Sequence, residues 1–224
     1  MKKQYITHKR EPFFEIAKKY INESSKVLDI GAGNGAFAKY CNRNDFYLFD
    51  GNKETVETLR ITNTNVYLGQ LPKLPFEDSF FDVMHCSHVI EHLEPEVFYQ
   101  TLKEMDRCLK EGGFLVVSAP LLWSGFYNDL SHIKPYLPGV FINYLSGKNK
   151  NSRTRKVISE NYLCEKLVYR YLEAKNPDMV YFNKKDRFLI RVILKGMSYL
   201  KKYGLTSYEK TGFTIVMHKT KEKS

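Results

Sequence analysis

Three glycines at alternate positions follow a short apolar run. Residues 27–35 read VLDIGAGNG, which places glycine at positions 31, 33 and 35, shortly after Asp29. Glycine at such a turn lets the backbone bend sharply and lets a ligand approach the main chain without a Cβ in the way. In the dinucleotide fingerprint G-x-G-x-x-G the third glycine would come one residue later. The spacing therefore indicates a ligand other than NAD.

A second carboxylate follows the next apolar run along the chain. The segment FYLFD at residues 46–50 ends in Asp50. A carboxylate at the end of the second strand of a parallel sheet is placed to accept hydrogen bonds from ribose hydroxyls. The glycine loop and Asp50 together therefore predict a cofactor that contains adenosine.

Alternating strands and helices must position these residues. The predicted strands are short β-branched or aromatic runs at residues 26–30, 46–49, 66–68, 81–86 and 114–118. Helices are predicted at residues 12–21, 95–109, 160–174 and 186–203. Alternation of this kind predicts an α/β fold with a mostly parallel sheet.

Length and composition fit one ordinary domain. The chain has 224 residues, of which 43% are hydrophobic, and this favours a single domain over residues 1–224. The sequence contains neither an apolar run long enough for a membrane span nor the apolar segment of a signal peptide, so we expect a cytoplasmic protein. Its four cysteines contain no C-x-x-C pair, which disfavours a zinc site or a disulfide framework.

Three ordered motifs give the chain a family resemblance. DIGAGNG at 29–35 resembles the D-x-G-x-G-x-G motif of class I S-adenosylmethionine-dependent methyltransferases. LPFEDSFFDVMHCSHVIEHL at 74–93 and LKEGGFLVVSAP at 109–120 are similar to their fourth-strand and fifth-strand segments. The resemblance implies a Rossmann-like seven-stranded sheet with helices on both faces and an antiparallel last strand. It also implies S-adenosyl-L-methionine as cofactor, with a cofactor-binding half of about residues 1–120 and an acceptor-binding half of about residues 121–224.

The resemblance also implies the cofactor-binding residues. The glycine loop would lie under the methionine part, Asp50 would bind the ribose, and Asp29 would fix the loop and the cofactor's amino group. Gln70 stands where family members often have an acid that accepts from adenine, and its amide oxygen could accept the same bond. The full predicted set is Asp29, Gly31, Ala32, Gly33, Asn34, Gly35, Asp50, Gly51, Gln70, Leu71, Ser87 and His88.

The segment HVIEH at 88–92 has the spacing of a metal site. His88, Glu91 and His92 fall at i, i+3 and i+4, and would share a face if the segment were a helix. The literal match to an inverted zinc-protease motif is rejected, because the segment begins at a strand edge where this family commonly has Glu-His. Related O-methyltransferases with E-x-x-E-H bind a divalent ion, so a metal with His132 as a further ligand stays an alternative. We predict that no metal is bound.

The acceptor is expected to bind after the fifth strand. Related methyltransferases often carry D-x-x-H-x-(R/K)-x-Y there, and Asp129, His132, Lys134 and Tyr136 match that pattern. His132 is the candidate catalytic base, because imidazole titrates near neutral pH. The alternative is a loop histidine that packs or faces solvent.

Two further segments bear on the acceptor. Trp123, Phe126 and Tyr127 could form a stacking wall for a sugar or aromatic ring, or could pack a lid. The basic loop at residues 148–156 could clamp the phosphates of a nucleotide sugar, a lipid-linked glycan or RNA, or could be solvated.

The predicted helix at 186–203 is basic on one side. Arg187, Arg191 and Lys195 stand at i, i+4 and i+8, and most apolar residues lie elsewhere on the helix. Such a helix could lie on an anionic membrane surface, which would make the basic C-terminal half a peripheral membrane contact. The alternative is a helix that covers the sheet with its apolar face.

The sequence therefore predicts a methyltransferase that acts on a small or glycan-like acceptor, at oxygen and with negative charge on the acceptor. An RNA methyltransferase is the first alternative, since the formal net charge of +10 would then serve phosphate contacts. The second alternative is a cofactor-binding module or an activating subunit without activity of its own.

Overall fold

The structure, a computed structural model, describes residues 2–147, 154–173, 184–202 and 206–221. Seven strands form one sheet in these ranges: β1 Val27–Ile30, β2 Tyr47–Asp50, β3 Asn65–Leu68, β4 Phe81–Ser87, β5 Leu109–Pro120, β6 Tyr162–Glu173 and β7 Tyr208–Lys219. The α-helices are α1 Glu11–Lys18, α2 Ala36–Cys41, α3 Lys53–Leu59, α4 Pro95–Cys108, α5 Gly139–Leu145 and α6 Lys184–Lys202. Among the described helices, none has the length and apolar content needed to cross a bilayer.

The sheet has the order β3-β2-β1-β4-β5-β7-β6. Strands β1 to β5 pair in parallel, whereas β7 is antiparallel to both β5 and β6. This confirms the predicted Rossmann-like, seven-stranded α/β fold with an antiparallel last strand. Because β1 to β5 all run in the same direction, their carboxyl ends lie at one edge of the sheet.

The core consists of two apolar layers, one on each face of the sheet. On one face Met84 and Leu115 pack with residues of α4 and α5, such as Leu102 and Phe141. On the other face Val83 packs with residues of α1, α2 and α3. A fully buried side chain of this size contributes about 1.5–3 kcal/mol through removal of apolar surface from water. Helices therefore cover both faces, as predicted.

One predicted helix is wrong. Residues 162–173 form strand β6, which pairs with β7 from Tyr162 opposite Lys219 to Glu173 opposite Tyr208. The segment contains three tyrosines and one valine, residue types that favour a strand when a neighbouring strand is available. Its buried Tyr162 donates a hydrogen bond to the Asp106 carboxylate of α4 at 2.9 Å, which fixes the strand to the core.

Two other expectations need correction. Strand β5 begins at Leu109, which pairs with Phe81, and not at residue 114 as predicted. Helix α6 forms where a helix was predicted, but it does not cover the sheet with its apolar face, because more than half of the surface of Leu189, Val192 and Ile193 is exposed.

The glycine loop between β1 and α2 has an alternating backbone. Gly31, Gly33 and Gly35 have φ of 69°, 53° and 71°, all in the left-handed region that favours glycine. A Cβ on Gly31 would collide with the Val89 side chain, whereas a Cβ on Gly33 would have no atom of the protein within 4 Å. The left-handed backbone at each of these positions therefore accounts for the alternate glycines. Of the three, only Gly33 faces open space.

These two positions make a matched pair for mutation. Gly31→Ala should destabilise the fold by about 1–3 kcal/mol more than Gly33→Ala, because it adds an overpacking cost to a similar left-handed strain. Urea unfolding of the ligand-free variants measures the difference. Equal losses of stability would show that the close packing of Val89 on Gly31 is not a constraint.

Candidate functional site

The predicted cofactor residues gather at the carboxyl edge of four neighbouring strands. Asp29 lies near the end of β1, Asp50 ends β2, and Ser87 ends β4. Gln70 and Leu71 follow β3 after Gly69. Since these strands are adjacent and parallel, the loop at 31–35 and the residues after β2, β3 and β4 share one edge of the sheet. The structure brings the whole predicted set together.

Asp50 is held by backbone N–H groups on both sides. Its Oδ2 accepts a hydrogen bond from the Gly33 N–H at 2.8 Å, and its Oδ1 accepts one from the Asn52 N–H at 2.9 Å. A carboxylate has further lone pairs, so both oxygens can still accept from ribose hydroxyls. Gly51 and Gln70 lie side by side, since a Cβ on Gly51 would be 4.0 Å from the Gln70 Cγ. The proposed ribose and adenine contacts are therefore neighbours.

Asp29 has a partner that sequence reasoning missed. Its Oδ1 lies 2.7 Å from Nδ1 of His85, and both side chains are buried. The His85 ring packs against Phe37 and Phe14, with ring centroids 4.0 and 5.7 Å apart. The sequence signal for this pair is a polar residue within each of two apolar runs, Asp29 in β1 and His85 in β4. The predicted contact of Asp29 with the cofactor remains a prediction, and its visible role is to anchor the end of β1.

His88 is a neutral histidine at the start of the loop after β4. Arg170 on β6 donates from Nη1 to its Nε2 at 3.2 Å. Because arginine can only donate, Nε2 carries no proton, and Nδ1–H donates to Ser87 Oγ at 3.0 Å. Loss of hydration, followed by the charge of Arg170, lowers the His88 pKa to about 3. His88 can therefore line a site but cannot serve as a base near neutral pH.

His132 has one ring nitrogen free for chemistry. Its Nδ1–H donates to the Phe126 carbonyl oxygen at 2.6 Å, which leaves Nε2 unprotonated in the neutral ring. Nε2 lies 4.0 Å from the Asp129 carboxylate, and the side chain is 16% exposed. His92 is oriented in the same way, since its Nδ1–H donates to the Ser131 carbonyl oxygen at 3.0 Å.

Glu91 is buried beside these histidines. Neither of its carboxylate oxygens has a hydrogen-bond partner, and loss of hydration raises its pKa to about 7. Its backbone oxygen accepts from the N–H groups of Ile133 and Lys134, which fixes the loop that carries His132. Glu91, His92 and His132 each offer one ligand atom, and these atoms lie within 4.8 Å of one another. The group could hold a divalent ion; the absence of a metal remains a prediction.

Other acceptor-side residues have packing roles. Phe126 is buried and contacts the His132 ring, so it cannot belong to the expected stacking wall. Tyr136 is buried, and its hydroxyl donates to the Leu93 carbonyl oxygen at 2.9 Å. Arg155 pairs with Glu96 at 3.0 Å. Residues 148–153 of the basic loop lie outside the described residues.

Comparison with known protein families and sequences matches part of the chain. Residues 28–117 match a family model described as a methyltransferase domain. An uncharacterized methyltransferase of Schizosaccharomyces pombe is 31% identical, over 43% of this chain and 40% of its own length. A malonyl-[acyl-carrier protein] O-methyltransferase of Herminiimonas arsenicoxydans is 33% identical, over 46% of this chain and 40% of its own length. The chain thus spans less than half of the length of these curated relatives.

Likeness to solved structures extends over nearly the whole chain. A SAM-dependent methyltransferase from Archaeoglobus fulgidus is similar with a TM-score of 0.57 and 22% identity. The similarity covers 94% of this chain and 97% of that one, and at this identity it shows the fold. Residues 28–117 are therefore similar to a methyltransferase domain, and the chain has the fold of a solved SAM-dependent methyltransferase.

Proposed function

We propose that this protein transfers a methyl group from S-adenosylmethionine to an oxygen of a small or glycan-like acceptor that carries negative charge. The observation that carries the proposal is the orientation of His132, whose Nδ1–H is fixed on the Phe126 carbonyl oxygen so that Nε2 is free to take a proton. A hydroxyl acceptor needs such a base, whereas a neutral amine does not.

The residues at the strand edge fit the cofactor. Gly33 faces space that a Cβ would enter, and the Asp50 carboxylate keeps lone pairs for the ribose. When bound, the cofactor supplies an electrophilic methyl group. The chain then has to align the acceptor oxygen with that methyl group, exclude water and accept the hydroxyl proton at His132 Nε2. His88 and Ser87 would border the methyl group because they follow β4 at the same edge.

Two alternatives predict different behaviour. An RNA methyltransferase is supported by the net charge of +10, and its binding should weaken steeply as salt rises. A cofactor-binding module or activating subunit would use the same strand edge without His132 chemistry. Acceptor assays distinguish all three.

Helix α6 supports a peripheral contact with an anionic membrane. Leu189, Val192 and Ile193 are more than half exposed, and Arg191 and Lys195 are exposed as well. Apolar residues on one face and cations on the other are typical of helices that lie in the plane of a membrane surface. This contact would bring the site close to an acceptor at the membrane.

The first prediction for the function concerns the cofactor. S-adenosylhomocysteine at about 100 times its dissociation constant should stabilise the protein by about 2.7 kcal/mol, through preferential binding to the native state. NAD at the same concentration should have no effect. A thermal unfolding scan measures both, and protection by NAD alone would contradict the cofactor assignment.

The matched variant for this measurement is Asp50→Asn. Asp50→Ala would also remove the acceptor of the Gly33 and Asn52 N–H groups and would disturb the loop itself. Asp50→Asn keeps one acceptor oxygen and should weaken cofactor binding by on the order of 1.5–3 kcal/mol, because the charge-assisted bonds to the ribose are lost. Unchanged affinity in calorimetry would remove Asp50 from the site.

The base is tested by His132→Ala. Cofactor affinity should be retained, and kcat should fall by roughly 100-fold to 10,000-fold because no group accepts the hydroxyl proton. His218→Ala is the control, since His218 pairs with Phe114 at the amino-terminal part of β5, away from the site edge. A variant at position 132 with full kcat would refute the assigned role.

The assay can begin without a known acceptor. Formation of S-adenosylhomocysteine from S-adenosylmethionine is followed with nucleotide sugars, lipid-linked glycans and RNA as separate acceptor pools. Activity in either of the first two pools supports the proposal. Activity that is confined to RNA and abolished by ribonuclease would favour the first alternative, and cofactor binding without activity in any pool would favour the second.

The membrane contact is tested by sedimentation with vesicles. The protein should sediment with phosphatidylglycerol-containing vesicles but not with pure phosphatidylcholine, and binding should weaken as salt rises. Leu189→Ser together with Val192→Ser should abolish it, because both side chains are exposed and their loss leaves the core intact. Equal sedimentation of this variant and the wild type would contradict a role for α6.

A further inference from the structure

Arg170 on β6 is a half-buried cation without an acidic partner. Its Nη1 donates to His88 Nε2 at 3.2 Å, its guanidinium lies 4.7 Å from the centre of the Phe13 ring, and its Nε has no hydrogen-bond partner. Among the described residues no carboxylate lies within 4.0 Å of it. A charge withdrawn from water normally requires a counter-charge or a full set of hydrogen bonds.

A second cation makes the surroundings of Arg170 more positive. Arg10, exposed at the start of α1, lies close enough to lower the Arg170 pKa, although loss of hydration is the larger cause of its fall to about 10. The Glu91 carboxylate raises the Arg170 pKa, but its oxygens form no hydrogen bond with either arginine. In the described part of the chain, Arg170 therefore has a second cation near it and no carboxylate within ion-pair distance.

Arg107 shows what a structural arginine looks like in the same chain. It pairs with the Glu104 and Asp78 carboxylates and donates to the carbonyl oxygens of Leu74 and Phe76. These bonds tie α4 to the segment before β4. Arg170 has no comparable set of bonds. Its guanidinium contacts His88 and the ring of Phe13.

The unpartnered polar groups of the described chain fall in one region. Buried side-chain nitrogen or oxygen atoms without a hydrogen bond occur in the described ranges only on Glu91, Arg170 and Thr211. Thr211 precedes Gly212, which pairs with Arg170, and its carbonyl oxygen accepts from the Leu121 N–H just after β5. Because such atoms are rare in native proteins, their grouping indicates a place that a ligand completes.

We propose that Arg170 binds an anionic group of the acceptor, a carboxylate or a phosphate. The inference rests on the proposed function for the position of the methyl group beside His88. Nη1 donates one N–H to His88, and the other Nη–H donors of the guanidinium can bind either group in a bidentate manner. Arg170 is then a specificity-determining residue, and the His88 Nε2 contact orients it before the acceptor binds.

The first test compares stability without ligand. Arg170→Met should leave the thermal midpoint unchanged or raise it, because it replaces an unpaired cation with an apolar side chain of similar length. Arg107→Met is the matched control and should lower the midpoint, because it breaks several ion pairs and leaves carbonyl oxygens without donors. A comparable loss in both variants would show that Arg170 is structural and would overturn the proposal.

The second test uses anions as probes in the presence of S-adenosylhomocysteine. Inorganic phosphate and acetate are titrated separately against a chloride background, and the wild type should bind one of them at least tenfold more tightly than Arg170→Met does. The arm that binds tells phosphate from carboxylate. Equal anion affinity in wild type and variant would overturn the assignment, and Arg170→Lys should restore part of the affinity if charge is what matters.

Failure of the proposed function is distinguishable from failure of this inference. Arg170→Met should bind S-adenosylhomocysteine like the wild type, since Arg170 is not among the cofactor residues. Once an acceptor is known, the variant should raise KM at least tenfold with a smaller change in kcat. A wild type that binds anions through Arg170 but does not bind S-adenosylhomocysteine would refute the methyltransferase proposal and leave the anion site standing.

Discussion

The hydrogen bond from the Gly33 N–H to the Asp50 carboxylate joins the first two loops of the site at 2.8 Å. It can form only because β1 and β2 are adjacent and parallel, with Ile30 opposite Phe49. It also requires the left-handed backbone of the glycine loop, since φ at Gly33 is 53°. The position of the Asp50 carboxylate therefore depends on sheet register and on glycine at once, and a fault in either would displace this carboxylate, which we propose binds the ribose.

Two kinds of polar group coexist in this fold. Those that hold the fold together are fully paired, as Arg107 is with Glu104 and Asp78, or Asp29 with His85. The Glu91 carboxylate, beside the acceptor-side histidines, has no hydrogen-bond partner for either oxygen. Buried groups without partners cost stability, and the proposed binding of a ligand would account for their presence on Glu91 and Arg170 in the described chain.

The sequence predicted β1 to β4 and the edge where they end, because both depend on local patterns. Apolar runs fixed β1 to β4, and the residue after each run follows directly from its end. The acceptor side could not be predicted in the same way. Residues 162–173 were expected to be helical, because periodicity alone does not reveal that β7 lies alongside, and Arg170 was therefore overlooked. His85 was overlooked because its partner Asp29 is 56 positions away in the chain.

The division between the two halves limits what relatives can tell about the acceptor. The methyltransferase family match covers residues 28–117, which includes the cofactor edge, Glu91 and His92. His132 and Arg170 lie beyond it, on the loop after β5 and on β6, the strand next to β7. The proposed base and the proposed anion-binding guanidinium therefore both lie outside the matched residues. We therefore expect the acceptor to be selected by residues that other proteins with a similar cofactor half need not share. The charges and hydrogen bonds of these residues indicate which acceptor they can bind.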